Sequence, residues 1–293
     1  MRAFHAWLAV SSFAALSVAE SPAYETRMQA GVTYSDNLSR TSYRPYRQEA
    51  ATEAASLSVL DGRQLSSDWL LVGTGTVGTE VVTRFSALDE WHADLGYLLR
   101  HKFGLGPYAT VLDLNAGVRS ESYHESGRSG WQTTAGVTLT KRLLENWRIA
   151  TSCGFVDYAA KGHSFDVRGH HLQMETDWDI TDLWRLSLGA KRYWGQLTAN
   201  AEWETYEQAL NGAFGPRVAN YYWNIPWEVS NTFGHGWTAY RVDCYADFHW
   251  VEISYSLGAN TTMPLRYETV KVVNRAGVRY DSTLWSLNLV HRF

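Results

Sequence analysis

Beyond residue 19 the sequence holds no apolar run near the roughly 20 residues that a helix needs to cross a bilayer, which excludes a bundle of spanning helices. No basic cluster stands out. With 26 Lys and Arg against 30 Asp and Glu the formal charge is −4, the wrong sign for a nucleic-acid partner. Cysteine is scarce: Cys153 and Cys244 are the only two, both in strand-like stretches on the apolar parity, which predicts free, buried thiols. No residue pattern calls for a cofactor or a metal. His170 and His171 are adjacent, hence on opposite faces of a strand, and neither cysteine has a partner motif.

What the chain has instead is aromatic side chains, 14 Trp and 17 Tyr, the groups whose apolar body and polar tip suit a membrane interface. Arg2, the apolar segment Ala6 to Ser17 and the small residues Ser17-Val18-Ala19 predict a cleaved export signal over residues 1–19, with the mature chain starting at Glu20.

From there the sequence breaks into segments of about ten alternating residues separated by turn-rich stretches, the pattern of a membrane barrel. The first strand sets Met28, Ala30, Val32 and Tyr34 against Arg27, Gln29 and Thr33. A polar stretch, Ser35 to Gln48, follows, then a return strand with Ala55, Leu57 and Val59 outward and a turn at Asp61-Gly62. Leu172, Met174, Thr176, Trp178 and Ile180 alternate with Gln173, Glu175, Asp177 and Asp179, a division that a strand keeps and a helix would scramble. Gln196 to Asn220 is the longest gap and suits an outer loop. Tyr221 to Phe233 reads as a strand, Trp237 to Gly258 as one long strand or two joined near Asp247, and the last hairpin as Val270–Tyr280 with Leu284–Phe293. Both termini on the periplasmic side require an even number. The expectation is an all-β, single up-and-down antiparallel transmembrane barrel over residues 20–293 with 14 strands, 12 being the alternative.

The closing residues, Leu-Trp-Ser-Leu-Asn-Leu-Val-His-Arg-Phe, put Trp285, Leu287, Leu289 and Phe293 on one face of a strand. This ending resembles the C-terminal signature of bacterial outer-membrane β-barrels, with His291 where an aromatic is usual. The resemblance implies that the last strand closes the barrel against the first and that the insertion machinery reads its end. Tyr34, Asp36 and Asn37, within Gly31 to Arg40, resemble the Tyr-x-Asp-Asn segment that ends the first strand in a broad group of Gram-negative β-barrel porins. That resemblance implies a protein of the outer membrane, surrounded by its lipid, that passes small solutes.

If the apolar faces meet lipid, the charged ones line the interior. Pairing positions that sum to 213 on the fourth and fifth strands sets Asp94 opposite Arg119, Arg100 opposite Asp113, and His92 opposite Glu121, a register that a two-residue slip would spoil. The same reading places Asp179 near Arg185. With Glu175 and Asp177 these are the candidate pore-lining residues; the same charges would equally serve as a salt-bridged filling that closes the barrel. One chemical motif remains. His124-Glu125-Ser126-Gly127 resembles part of the His-x-Ser-Asn-Gly segment of outer-membrane phospholipase A, a barrel enzyme. It implies Ser126 as nucleophile and His124 as base, though Gly127 stands where that family has the asparagine that orients the histidine. A barrel that binds a partner through its outer loops is a third reading.

Overall fold

The computed structural model describes residues 24–293; the expected signal segment and the start at Glu20 lie outside the described residues. The alternation becomes antiparallel strands, each bonded to the next in sequence: β1 (Tyr24–Ser35), β2 (Ala50–Gln64), β3 (Trp69–Val82), β4 (Glu90–Phe103), β5 (Thr110–Tyr123), β6 (Gly130–Leu144), β7 (Trp147–Ala160), β8 (Val167–Asp179) and β9 (Trp184–Glu202). Two short helices, α1 (Trp203–Leu210) and α2 (Pro216–Trp223), and the three-residue β10 (Trp227–Val229) interrupt the series. It resumes with β11 (Trp237–Gly258), β12 (Thr261–Asn274) and β13 (Ser282–Arg292). Strand β13 pairs with β1 from Arg27↔Arg292 to Ser35↔Leu284, and β11 pairs with β9, so the barrel closes and its backbone polar groups are satisfied internally.

Among the described residues the closed barrel has 12 strands, with β10 outside it, so the alternative count holds and 14 does not. Two misreadings produced the excess. Tyr221–Phe233 is not a barrel strand: Pro216 starts α2 at its first turn, the helix runs to Trp223, and only Trp227–Val229 is extended. Trp237–Gly258 is one strand of 22 residues. Its inner set Val242, Ala246, Phe248 and Trp250 is as apolar as its outer set, because it packs in one cluster with Tyr206, Leu210 and Tyr222 of the helices. Asp247, which looked like a break, faces outward and pairs with Arg192 at 2.6 Å. Strand β9 likewise runs on to Glu202 inside the predicted gap, β12 begins at Thr261 and ends at Asn274, and β2 continues past Asp61-Gly62 to turn at residues 65–68.

Connections at one end are short, such as 145–146 and 259–260, whereas those at the other include 36–49 and 203–236. This asymmetry marks the periplasmic and outer ends. The outer surface is apolar: Leu95 and Tyr97 on β4 are 64% and 66% exposed, while Asp113 and Glu121 on β5 are 5% and 4% exposed inside. Aromatic rings gather at two levels, Trp91 and Trp131 near the outer ends of their strands with Trp194 opposite His170 near the outer end of β8, and Trp147, Trp178 and Trp184 near the periplasmic ends. On β9, Trp184 and Trp194 stand ten positions apart. At about 3.3 Å per residue and a tilt of about 40°, that spacing spans about 25 Å, the height of the apolar band of outer-membrane barrels. Cys244 is buried on the inner parity, but Cys153 is exposed on the outer face, correcting the expectation of two buried thiols; both are free.

Candidate functional site

The inner face of β4 and β5 carries the predicted register: His92↔Glu121, Asp94↔Arg119 and Arg100↔Asp113 are direct partners. Arg100 holds Asp113 through two bonds, Nε–Oδ1 at 2.7 Å and Nη2–Oδ2 at 2.8 Å. Arg119 sits among three carboxylates, Glu90 at 3.3 Å, Asp94 at 3.4 Å and Glu121 at 3.1 Å, and His92 lies between Glu90 and Asp94 at 3.4 and 3.9 Å. Further round, Arg148 pairs with Asp177 at 2.6 Å, Ser187 donates to Asp177, and Arg185 pairs with Asp179 at 2.5 Å. Glu175 shares the inner parity of β8 with these acids. Sequence reasoning missed Glu90, which sits at the mouth-ward end of the same ladder and shares Arg119; the sum of 213 pairs it with uncharged Tyr123, so the pairing rule could not find it.

Glycine decides how far these side chains reach toward the axis. A Cβ on Gly154 would stand 2.5 Å from the His171 ring, and one on Gly78 would stand 2.5 Å from His92. Each ring packs against a neighbouring strand's bare backbone, in space that a Cβ there would take. A cavity of about 200 Å³ lies along the inner wall of β1 to β6, bordered by Arg27, Thr74, Thr76, Asp94, Asn115 and Arg119.

The outer mouth is bridged. After β1 the chain folds inward, and Asn37, Ser39 and Thr41 are at most 1% exposed. The Asn37 amide donates to the carbonyls of Thr41 (3.0 Å) and Asp281 (2.9 Å), and its Oδ1 accepts from Thr41 N–H (3.1 Å) and Ser39 Oγ (3.3 Å). Arg40, at φ 51°, donates to the Thr198 carbonyl at 3.2 Å, and the Ser39 carbonyl accepts from Asn200 N–H and Nδ2 at 3.1 and 2.9 Å. Since β1 and β9 are not neighbours in the sheet, these bonds must cross the opening. The Tyr-x-Asp-Asn segment thus owes its residues to a strap: Asp36 accepts from Thr283 N–H at 2.7 Å, and Asn37 folds the turn. Burial pushes the Arg40 guanidinium down to about 10, with Arg128 adding repulsion.

A second tie comes from the loop after β5. Arg128 pairs with Glu125 at 2.6 Å and donates to Thr232 Oγ1 at 3.0 Å, while Ser230 and Thr232 donate to Glu125. Burial would raise the Glu125 carboxyl, but Arg128 and the two hydroxyls outweigh it and hold it below its ordinary value. Leu38, Phe85, Leu88, Phe233 and Trp237, from three different connections and the start of β11, form an apolar cluster in the same region.

Ser126 and His124 both lie exposed on this outer loop, and no hydrogen bond joins them among the described residues. Among the described residues, no group of three or more His, Cys, Asp or Glu is arranged to hold a metal ion.

No family model and no curated protein matches the chain. Among solved structures it is similar to an outer-membrane channel from Pseudomonas putida F1, at 11% identity and a TM-score of 0.61, over 96% of this chain and 98% of that one. The NanC porin gives 8% identity and 0.47 over 90% and 98%, and outer-membrane phospholipase A from Escherichia coli gives 10% and 0.46 over 92% and 97%. At such identities the likeness is one of fold. The fold is that of the outer-membrane channel to which the chain is similar, a closed β-barrel with an apolar outer surface.

Proposed function

We propose that the chain is a channel through which small solutes cross the outer membrane, without catalysis, along a polar lumen. The observation that carries this reading is the cavity of about 200 Å³ inside a closed, lipid-facing barrel, bordered by charged and hydroxyl side chains among apolar ones. On this reading His92, Asp94, Arg100, Asp113, Arg119, Glu121, Glu175, Asp177, Asp179 and Arg185 line the pore, and ion pairing, which for Asp177 comes from Arg148, keeps most of that buried charge affordable. Residues 1–19 serve as the export signal and are removed, and the insertion machinery recognises β13. Conductance in planar bilayers tests the proposal: discrete steps support it, and silence from the folded barrel, both native and with the strap broken by Asn37→Ala, refutes it.

The bridged mouth favours one second reading, a closed barrel whose outer loops bind a partner. Silence in the bilayer that persists after the strap is broken would select it. The esterase reading has less behind it, because Ser126 and His124 are not joined; ester hydrolysis abolished by Ser126→Ala would restore it.

A further inference from the structure

We infer that the mid-lumen cavity is a binding site for an uncharged, ring-shaped polyol of about monosaccharide size, an inference that rests on the channel reading above. The wall supplies neutral groups that both donate and accept. Ser58, Thr74, Thr76 and Thr134 present hydroxyls and Gln29 and Gln132 present amides, from the adjacent strands β1, β2 and β3 and from β6. Ser58 Oγ and Thr76 Oγ1 lie 2.8 Å apart, so a solute hydroxyl can join a chain of hydrogen bonds already formed. Such a row matches a ring whose hydroxyls point outward along its rim. Leu60 and Leu98 border the same space and offer contact for the ring's C–H face.

Charge decides against an anion. The two guanidiniums at the cavity are already engaged, Arg27 with Glu25 at 3.0 Å and Arg119 with Glu90, Asp94 and Glu121. Four carboxylates thus surround two arginines, and a further carboxylate or phosphate would meet repulsion at each approach. A cation can reach only Asp94 at the cavity wall, and there it meets the Arg119 guanidinium 3.4 Å from that carboxylate. A neutral solute disturbs neither pair. The size also fits, since a cavity of about 200 Å³ has room for a ring of monosaccharide size.

The test is osmotic swelling of proteoliposomes holding the full-length protein, with three probes of one ring size: a neutral hexose, a hexuronate and a hexosamine. Each is run with the native protein and with Asn37→Ala, so that a shut mouth is not mistaken for a solute preference. The neutral hexose should enter at least several-fold faster than either charged probe at millimolar concentration. Thr74→Val/Thr76→Val, which removes two hydroxyls at nearly constant shape, should bring that ratio close to one. Faster entry of the hexuronate or hexosamine overturns the inference and leaves the channel standing, as does an unchanged ratio in the double variant once heat-modifiable migration shows it folded. Absence of swelling for every solute, in both proteins, overturns the channel reading itself.

Discussion

Replacing Asn37 by alanine should unfasten the strap across the outer mouth. The side chain is fully buried and makes four hydrogen bonds, at 3.0, 2.9, 3.1 and 3.3 Å, to Thr41, Asp281 and Ser39. At about 1 kcal/mol net for each bond, with some recovered by water once the segment lifts, the closed arrangement loses about 3 kcal/mol. Since about 1.4 kcal/mol is a factor of ten, the open fraction should rise about 100-fold. Single-channel recording reads this directly, as long closed dwells in the native protein that shorten or vanish in the variant. Asn37→Asp keeps the two accepted bonds and loses the two donated ones, so it should fall between. The barrel wall is untouched, and heat-modifiable migration should be unchanged. If the folded alanine variant gives the same record as the native protein, the strap does not control the opening.

Arg100→Met should strand the buried Asp113 carboxylate and cost about 3–5 kcal/mol, read from the urea midpoint of unfolding from lipid, and adding Asp113→Leu should restore most of it. Gly154→Ala should drive the His171 ring into the lumen and lower unitary conductance, whereas Gly258→Ala, at the periplasmic end of β11 with open space around it, should leave conductance unchanged. Glu125 titrates below its ordinary value in the folded state, so its stabilisation of the mouth is complete above about pH 4.3 and lost as pH falls through the lower folded value. Closed dwells should therefore persist through neutral pH and shorten only under acid, an effect that Glu125→Gln should remove.

Much of the barrel was legible because each span faces lipid on one side and polar groups on the other, so parity alone separates the two sets. The charges of β4 and β5 went further and fixed a register, since three complementary pairs agree at one alignment only. Parity failed where that contrast disappears. Strand β11 is apolar on both faces because helix side chains cover its inner one, so its 22 residues looked like two strands. In α2 the run Tyr221-Tyr222-Trp223 mimicked a strand, although Pro216 and the turn at Gly215, φ 96°, favour a helix start. The strap left a trace in the sequence as Tyr34-x-Asp36-Asn37, but its partners Thr198, Asn200, Asp281 and Thr283 lie up to about 250 residues away, and no local pattern names them.

The central claim is that neighbouring residues of one wall face different solvents, hydrocarbon outside and water within. Single cysteines at Leu95, Val118, Thr74 and Asn115, in a chain with Cys153 and Cys244 replaced by serine, carry a fluorophore in reconstituted vesicles. The account predicts that the first two are quenched by a lipid-borne quencher and the last two by a small water-soluble one. Labels at Thr74 and Asn115 shielded from both, or quenched from the lipid, would contradict it.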